Sequence, residues 1–315
     1  FYRGKTITVI IASNAGGSHS VYSQFASQYL TRHIPGNPSI VVQHEGGAGG
    51  TKGANFLYNR SPRDGTHIGA LLSDMPMAAR LKLTGVKYET KEFQYLGGAT
   101  KTRSLISVLK SSGIATLEDA MKREVVLGSS GKGSQTYTIP AAVNAVLGTK
   151  FKVITGYPGM GAVDQAFESG EVMGRAGVWA SLKQNKGHLL AQGLITHLGV
   201  ADLEPIPDLP GVPVIVDKVK DPQDRKVLAF IFGSGVLGRA WTAPPGLPPE
   251  RLAALREAFA KALNDPEVVA AANARNLEWE PVSWQELQKA AAEVADAEDA
   301  VVERARKIME VEDKS

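Results

Sequence analysis

The apolar positions fall into short runs rich in β-branched residues that alternate with stretches of helical period, and most junctions carry Gly, Ser or Pro. Residues 6–12 predict a buried first strand, and 18–33 a helix in which Val21, Phe25 and Tyr29 repeat at i+4. A second strand at 39–43 runs through Gly46-Gly-Ala-Gly-Gly50 into a helix reaching about Asn59, and further strands are predicted at 67–72 and 94–99. Lys101-Thr-Arg-Ser104 then reads as a crossing point, after which the pattern starts afresh. Strand alternating with helix predicts an α/β fold.

In the second stretch, strands are predicted at 104–108 and 125–128, with a short helix opening at Thr116-Leu-Glu-Asp119 between them. Gly128-Ser-Ser-Gly-Lys-Gly-Ser134 leads into a helix, and 152–155 returns as a strand. The layout of the first stretch is repeated without the fixed period of a solenoid. The proline-rich segment 203–213 breaks it, and a second crossing is expected at 218–225. The expected division is therefore a discontinuous first lobe, 1–100 plus 225–315, and a second lobe, 101–224. After Pro244-Pro-Gly-Leu-Pro-Pro249 comes an amphipathic helix with Leu252, Leu255, Phe259 and Leu263 on one face. Ser283-Trp-Gln-Glu286 predicts a capping box at the start of one long charged helix to about Val311, whose Arg304, Arg306 and Lys307 suit the negative end of the helix dipole.

At 315 residues the chain exceeds an ordinary single domain, which agrees with two lobes. With 43% hydrophobic and 21% charged residues it has material for a core in each. The net charge of +3, with basic and acidic residues interspersed, points away from nucleic acid and is compatible with an anionic ligand. No apolar run approaches the length of a membrane span. The absence of cysteine removes disulfides, thiolate zinc sites and a thiol nucleophile. A start at Phe1 with a strand close behind suits a processed secretory protein, and equally a chain trimmed for other reasons.

The glycine-rich turns carry the candidate chemistry. A turn leaving a strand and entering a helix presents free backbone N–H groups at the positive end of the helix dipole, an arrangement that holds anions. Ala15-Gly-Gly-Ser18, Gly47-Ala-Gly-Gly-Thr51 and Gly131-Lys-Gly-Ser134 all have this form, with hydroxyl donors close by. A single such turn is more often just a tight turn, whereas three at the carboxyl ends of strands point to a ligand. Gly128–Ser134 lacks the spacer of a Walker loop, and Gly47-Ala-Gly-Gly-Thr-Lys-Gly53 misses the dinucleotide fingerprint by one residue, so nucleotide binding is a weak alternative. The six histidines show no metal-ligand spacing, and no Gly-x-Ser-x-Gly elbow is present. A Ser134/Lys132 pair leaves an α/β enzyme acting on a small anionic substrate as the runner-up.

In order along the chain these motifs resemble those of the extracytoplasmic solute receptors of tripartite tricarboxylate transporters, the Bug or TctC receptors. Asn14-Ala-Gly-Gly-Ser-His-Ser20, Gly46-Gly-Ala-Gly-Gly50 and Pro62-Arg-Asp-Gly-Thr66 stand where that family has Pro-Gly-Gly, Pro-Gly-Ala-Gly-Gly and Pro-Asp-Gly-Tyr-Thr. Leu127-Gly-Ser-Ser-Gly-Lys-Gly-Ser134, Gly156-Tyr-Pro-Gly159, Ala166-Phe-Glu-Ser-Gly-Glu-Val172 and Trp241-Thr-Ala-Pro-Pro-Gly-Leu-Pro248 resemble its later blocks. Departures are Ala15 and Gly46 in place of proline, the missing acidic residue around Ser18-His-Ser20, and Arg175 where a neutral or apolar residue is common.

The resemblance implies a two-lobed periplasmic-binding-protein (Venus-flytrap) fold with a ligand cleft between the lobes, a removed signal peptide, a periplasmic location and no catalysis. It implies a monomer that takes a dicarboxylate, an aromatic carboxylate or an acidic amino acid and delivers it to the membrane subunits of its transporter, with no cofactor, metal or nucleic acid. Closure is expected about hinges near 101–104 and 218–225. The expected ligand-binding residues are Asn14, Gly16, Gly17, Ser18, Gly49, Gly50, Thr51, Ser73 and Asp74 in the first lobe. In the second they are Gly131, Ser134, Tyr157, Gly159, Arg175 and Trp179. For Arg175 a surface arginine paired with Glu171 stands against a clamp on a second carboxylate, and for Tyr157 and Trp179 a core aromatic stands against a wall of the site.

Overall fold

The run Thr6–Ile11 forms a strand, β1, that is buried on both faces: Ile7, Val9 and Ile11 meet one layer of helices while Ile10 meets another. A strand covered on both sides needs an unbroken apolar run, which is what this stretch supplies. The computed structural model describes residues 1–13, 15, 18–132 and 134–310, without the side chain of Ser18. From β1 the chain continues through α1 (Ser18–Leu30), β2 (Ser39–His44), α2 (Thr51–Asn59), β3 (His67–Ala70), α3 (Met75–Arg80) and β4 (Gln94–Gly98). Next come β5 (Ser104–Leu109), α4 (Leu117–Lys122), β6 (Val125–Gly128), α5 (Gln135–Leu147), β7 (Phe151–Ile154), α6 (Met160–Ser169), β8 (Gly174–Val178), α7 (Trp179–Ala191), β9 (Ile195–Ala201) and α8 (Pro222–Phe232). The last part holds β10 (Ala240–Ala243), α9 (Pro249–Leu263), α10 (Pro266–Ala274), α11 (Trp284–Ala295) and α12 (Asp299–Ile308).

These elements divide into two compact units, 1–101 with 236–296, and 102–235 with 297–315. The chain passes between units at 101/102, 235/236 and 296/297, so the second passage lies beyond the 218–225 segment that the proline pattern suggested. Helix α8 therefore belongs to the second unit, because its buried Val227, Leu228, Phe230 and Ile231 give it a face that packs on α5 and α12. Backbone pairing marks the passage within each unit: Ala99 N–H donates to Arg239 O at 2.9 Å, and Thr102 N–H to Gly235 O at 2.8 Å.

The first sheet has the order β2-β1-β3-β10-β4, with β1 parallel to β2 and β3, and β10 antiparallel to β3 and β4. The second has the order β7-β6-β8-β5-β9, with β6 parallel to β7 and β8, and β5 antiparallel to β8 and β9. Each five-stranded sheet thus has four strands running in one direction, three of them adjacent, and one antiparallel strand that follows a passage from the other unit. In the first unit α1 and α9 cover one face through Tyr22, Ala26, Leu255 and Phe259, and α2 and α3 cover the other through Ala54, Leu57, Met75 and Ala78.

Two helices depart from the expectation, the first only in its buried face and the second in its continuity. Helix α1 ends at Leu30 with one further turn, Thr31–His33, because Pro35 holds Ile34 extended. Its buried stripe is Tyr22, Phe25, Ala26 and Leu30, and Val21 is exposed. The expected long C-terminal helix is two helices: α11 ends at Ala295, Glu298 is extended, and α12 starts anew. Their apolar stripes serve different cores, Leu287 and Ala291 in the first unit, and Val301, Val302 and Ala305 in the second. Val311 lies outside the described residues. Ser283 caps α11 by accepting from Glu286 N–H at 3.2 Å, and the reciprocal capping box forms instead at Thr116 and Asp119.

The assignment of α12 to the second unit has a measurable consequence. Val302 is 3% exposed, so Val302→Asp places an unpaired carboxylate in an apolar seam. The expected loss of unfolding free energy is about 3 kcal/mol or more by denaturant titration, and an effect below about 0.5 kcal/mol, typical of a surface site, would contradict the packing.

Candidate functional site

In each unit the loops at the carboxyl ends of the three parallel strands each enter a helix. In the first unit they are 12–17 after β1, 45–50 after β2 and 71–74 after β3. In the second the equivalent loops are 129–134 after β6 and 155–159 after β7, with β8 passing directly into α7 at Val178-Trp179. The expected residues Asn14, Gly16 and Gly17 lie outside the described residues, as does the Ser18 side chain.

The loop before α2 is shaped by glycine. Gly50, the N-cap of α2, has φ +92°, and a Cβ there would sit 2.8 Å from Leu72 Cδ1. Gly53 lets α2 approach β1 so closely that a Cβ would stand 2.7 Å from Ala12 Cα. No side chain caps α2; Thr51 N–H donates to Ala48 O, and the N–H groups that follow it keep the partial positive charge of a helix start. Thr51 is buried at that start, while Gly49 (φ +60°) is exposed. Around the loop, Glu45 accepts from Gln43 and pairs with Lys52 at 3.0 Å, contacts that hold its carboxyl below the usual range. Ser73 and Asp74 close the third loop. Asp74 is the N-cap of α3 without a side-chain cap bond, and burial pushes its carboxyl up.

The first turn of α1 carries residues the sequence reading passed over. Burial, reinforced by the charge of Arg239, pushes the His19 imidazole down to about 3, so it is neutral at physiological pH. Its Nε2 is buried without a hydrogen-bond partner, as is Ser13 Oγ at the end of β1. Arg239 lies over the Tyr22 ring at 5.6 Å and donates to Gly238 O at 2.9 Å, while Ser20 Oγ bridges to His44 Nε2 at 2.8 Å. An arginine after a passage between units has no local sequence signal, because only the pairing of Arg239 with Ala99 and Thr100 brings it to α1.

In the second unit the hydroxyls of the glycine-rich turn are spent largely on the turn itself. Ser134 Oγ donates to Gly131 O at 2.9 Å, Gly131 N–H to Ser129 Oγ at 3.1 Å and Ser130 N–H to Thr136 Oγ1 at 3.1 Å. Ser134 is the N-cap of α5 but its side chain does not cap it. Lys132, exposed, pairs with Glu310. Gly159 begins α6 with no side-chain cap, and the space where its Cβ would stand is open. Tyr157 OH donates to Glu171 Oε1 at 2.5 Å, so Glu171 serves the tyrosine and not Arg175.

Arg175 is not a surface residue. It is 2% exposed, and its Nε stands 3.2 Å from Asp164 Oδ1 on α6, whose carboxylate is equally buried. On the neighbouring strands Ser107 lies beside it in register, and Ser107 Oγ meets His197 Nδ1 at 2.9 Å. Trp179 packs edge-on against His197 at 5.3 Å and donates from Nε1 to Asp208 at 3.0 Å. Buried Arg175 and Ser107 and half-buried His197 thus follow one another across β8, β5 and β9, with Trp179 at the start of α7 packed against His197. Trp179 is mostly buried, as a core aromatic would be, but at the carboxyl end of β8.

Residues 28–306 match the family model described as "Tripartite tricarboxylate transporter family receptor". The chain is similar in structure to a TctC solute-binding protein from Polaromonas, with TM-score 0.74 and 18% identity over 98% of this chain and 99% of that one. It is also similar to a Rhodopseudomonas palustris protein solved with adipate (TM-score 0.65, 21% identity, 97% of each chain). MatC from Rhodopseudomonas palustris, solved with malate, gives TM-score 0.63 and 19% identity over 97% and 99%. No curated protein matches the sequence. The fold is therefore the two-lobed periplasmic-binding-protein fold.

The buried imidazole ties the site to pH. With its folded value depressed to about 3, His19 contributes stability that is complete above about 6.5 and is lost as pH falls from there towards 3, because only the unfolded chain takes up the proton. Relative to His19→Gln, the wild type should lose up to about 1.4 kcal/mol per pH unit across that window. Parallel pH profiles in denaturant titrations of the two proteins would contradict the neutral, buried imidazole.

Proposed function

Because this chain belongs to the tripartite tricarboxylate transporter receptor family and is a solute-binding protein, we propose that it captures a small organic carboxylate with donors drawn from the loops at the carboxyl ends of the parallel strands. The observation that carries the reading is the uncapped helix start at Gly50-Thr51, matched in the second unit by that at Gly159-Met160. Adipate and malate, bound by the two Rhodopseudomonas palustris proteins, are ligands of this chemistry. The ligand class comprises dicarboxylates, aromatic carboxylates and acidic amino acids. A monomeric receptor in the periplasm, handing its ligand to the membrane subunits of a transporter, completes the proposal. No helix among the described residues is long and apolar enough to cross a membrane.

A binding role fits the side chains better than catalysis does. Among the described residues two Ser–His contacts occur, Ser20 with His44 and Ser107 with His197, but both serines are at most 2% exposed, and a nucleophile needs access to its substrate. The Ser134/Lys132 alternative lacks its base, since Lys132 is committed to Glu310 and Ser134 Oγ donates to Gly131 O. The receptor is proposed to work without a cofactor or metal.

A thermal-shift screen of C4–C6 dicarboxylates, aromatic carboxylates and acidic amino acids should find a ligand that raises the melting temperature, since binding only to the folded state stabilises it by mass action. A shift produced by a nucleotide or a sugar and by none of these acids would overturn the proposal. For the acid that binds, Gly50→Val should weaken affinity about tenfold or more, because φ +92° and the contact with Leu72 force the α2 start to move. Unchanged affinity in a folded Gly50→Val protein would remove this loop from the site.

A further inference from the structure

The Arg175 guanidinium is incompletely used. Its Nε faces Asp164 Oδ1 at 3.2 Å as an ion pair, while Nη1 is buried without a hydrogen-bond partner and Nη2 meets only the thioether sulfur of Met160 at 3.2 Å. Guanidinium presents five N–H donors and can hold one carboxylate on each of two edges, whereas a thioether is a weak acceptor. Leaving such donors buried is unfavourable, so a fold that keeps them there invites an anion. Asp164 is already held on its far side, where Oδ2 accepts from Asn185 Nδ2 at 3.1 Å, and does not turn to cover the open edge.

The open edge points towards the loops. Residues 175 and 177 share a face of β8, and the missing side chain at Gly177 makes room for the guanidinium: a Cβ there would lie 3.1 Å from Arg175 Nη2 and 2.6 Å from Met160 Cε. Arg175 therefore extends along the strand towards its carboxyl end. Met160, partly exposed, is the first residue of α6 and follows Gly159, and its unbranched side chain covers the guanidinium. Gly156, Gly159 and Gly161, in and after the same loop, have nothing within 4 Å of where a Cβ would stand, so the space beside these glycines is open.

We propose that Arg175 is the specificity determinant for ligands with a second anionic group, its Nη edge receiving the distal carboxylate when the Met160 side chain moves aside. This rests on the carboxylate-receptor reading and adds a selectivity that a helix start alone does not supply. A monocarboxylate would satisfy the loop N–H groups and leave Met160 in place. A dicarboxylate would in addition satisfy Nη1 and replace the weak sulfur acceptor of Nη2 with charge-assisted bonds.

The test is calorimetric titration with chain-matched acids, butyrate against succinate and hexanoate against adipate. The proteins are the wild type, Met160→Ala, and the double variant Arg175→Gln with Asp164→Asn, which removes both members of the buried pair so that neither charge is stranded. The wild type should prefer the diacid of at least one pair by about tenfold or more. The double variant should bring that ratio close to one, and Met160→Ala should raise it. Equal binding of each pair by the wild type overturns this inference and leaves the carboxylate receptor standing, whereas no binding by either class overturns both. A ratio that survives in the double variant also overturns it. If that variant does not fold, the Met160→Ala ratio decides, and a value no higher than wild type overturns the proposal.

Discussion

Parallel pairing of three consecutive strands is the constraint on which the rest of this structure depends. Parallel strands must be joined by crossovers, and here each crossover is a helix that starts where its strand ends. Every such junction brings helix N–H groups to the carboxyl edge of the sheet, so the anion-binding potential is a product of topology before any side chain is considered. The side chains then refine it. In the first unit glycine backbone at Gly50 and Gly53 brings α2 against the end of β1, and in the second a cluster of hydroxyls around Ser129, Ser134 and Thr136 holds the turn.

Buried polarity is distributed unequally between the units. The first unit buries a neutral imidazole, His19, next to an arginine that lies over Tyr22. The second buries an ion pair, Arg175 with Asp164, continued across the sheet by Ser107 and His197. A buried ion pair is rarely a net source of stability, because desolvation of the two charges offsets their attraction. The second row therefore places charged groups beneath the loops that follow β6 and β7 without adding much to stability.

The end of the chain illustrates how packing overrides a continuous pattern. The sequence predicts one long charged helix from the Ser283 box to about Val311, yet Leu287 and Ala291 belong to one core and Val302 and Ala305 to another. The break at Asp296-Ala297-Glu298 falls at the passage between the units. Similarly, α8 carries no local mark of the unit it joins, and its place follows from the partners of Val227 and Phe230.

The sequence by itself determined the α/β alternation, most of the strands that carry the candidate loops, the capped starts at Thr116 and Ser283, and the family to which the chain belongs. The elements and caps are properties of local period and glycine position, which local sterics dictate, whereas the family follows from the order of the motifs along the chain. It did not reveal β8, β9 and β10, because short runs such as Gly174–Val178 owe their conformation to neighbours far away in the chain. Nor could it say what Tyr157, Arg175 and His19 touch. Tyr157 binds Glu171, Arg175 binds Asp164, and His19 is neutral because it is buried near Arg239. The partner and the ionisation state of a buried polar group depend on which segments are packed around it, and only the tertiary structure decides that.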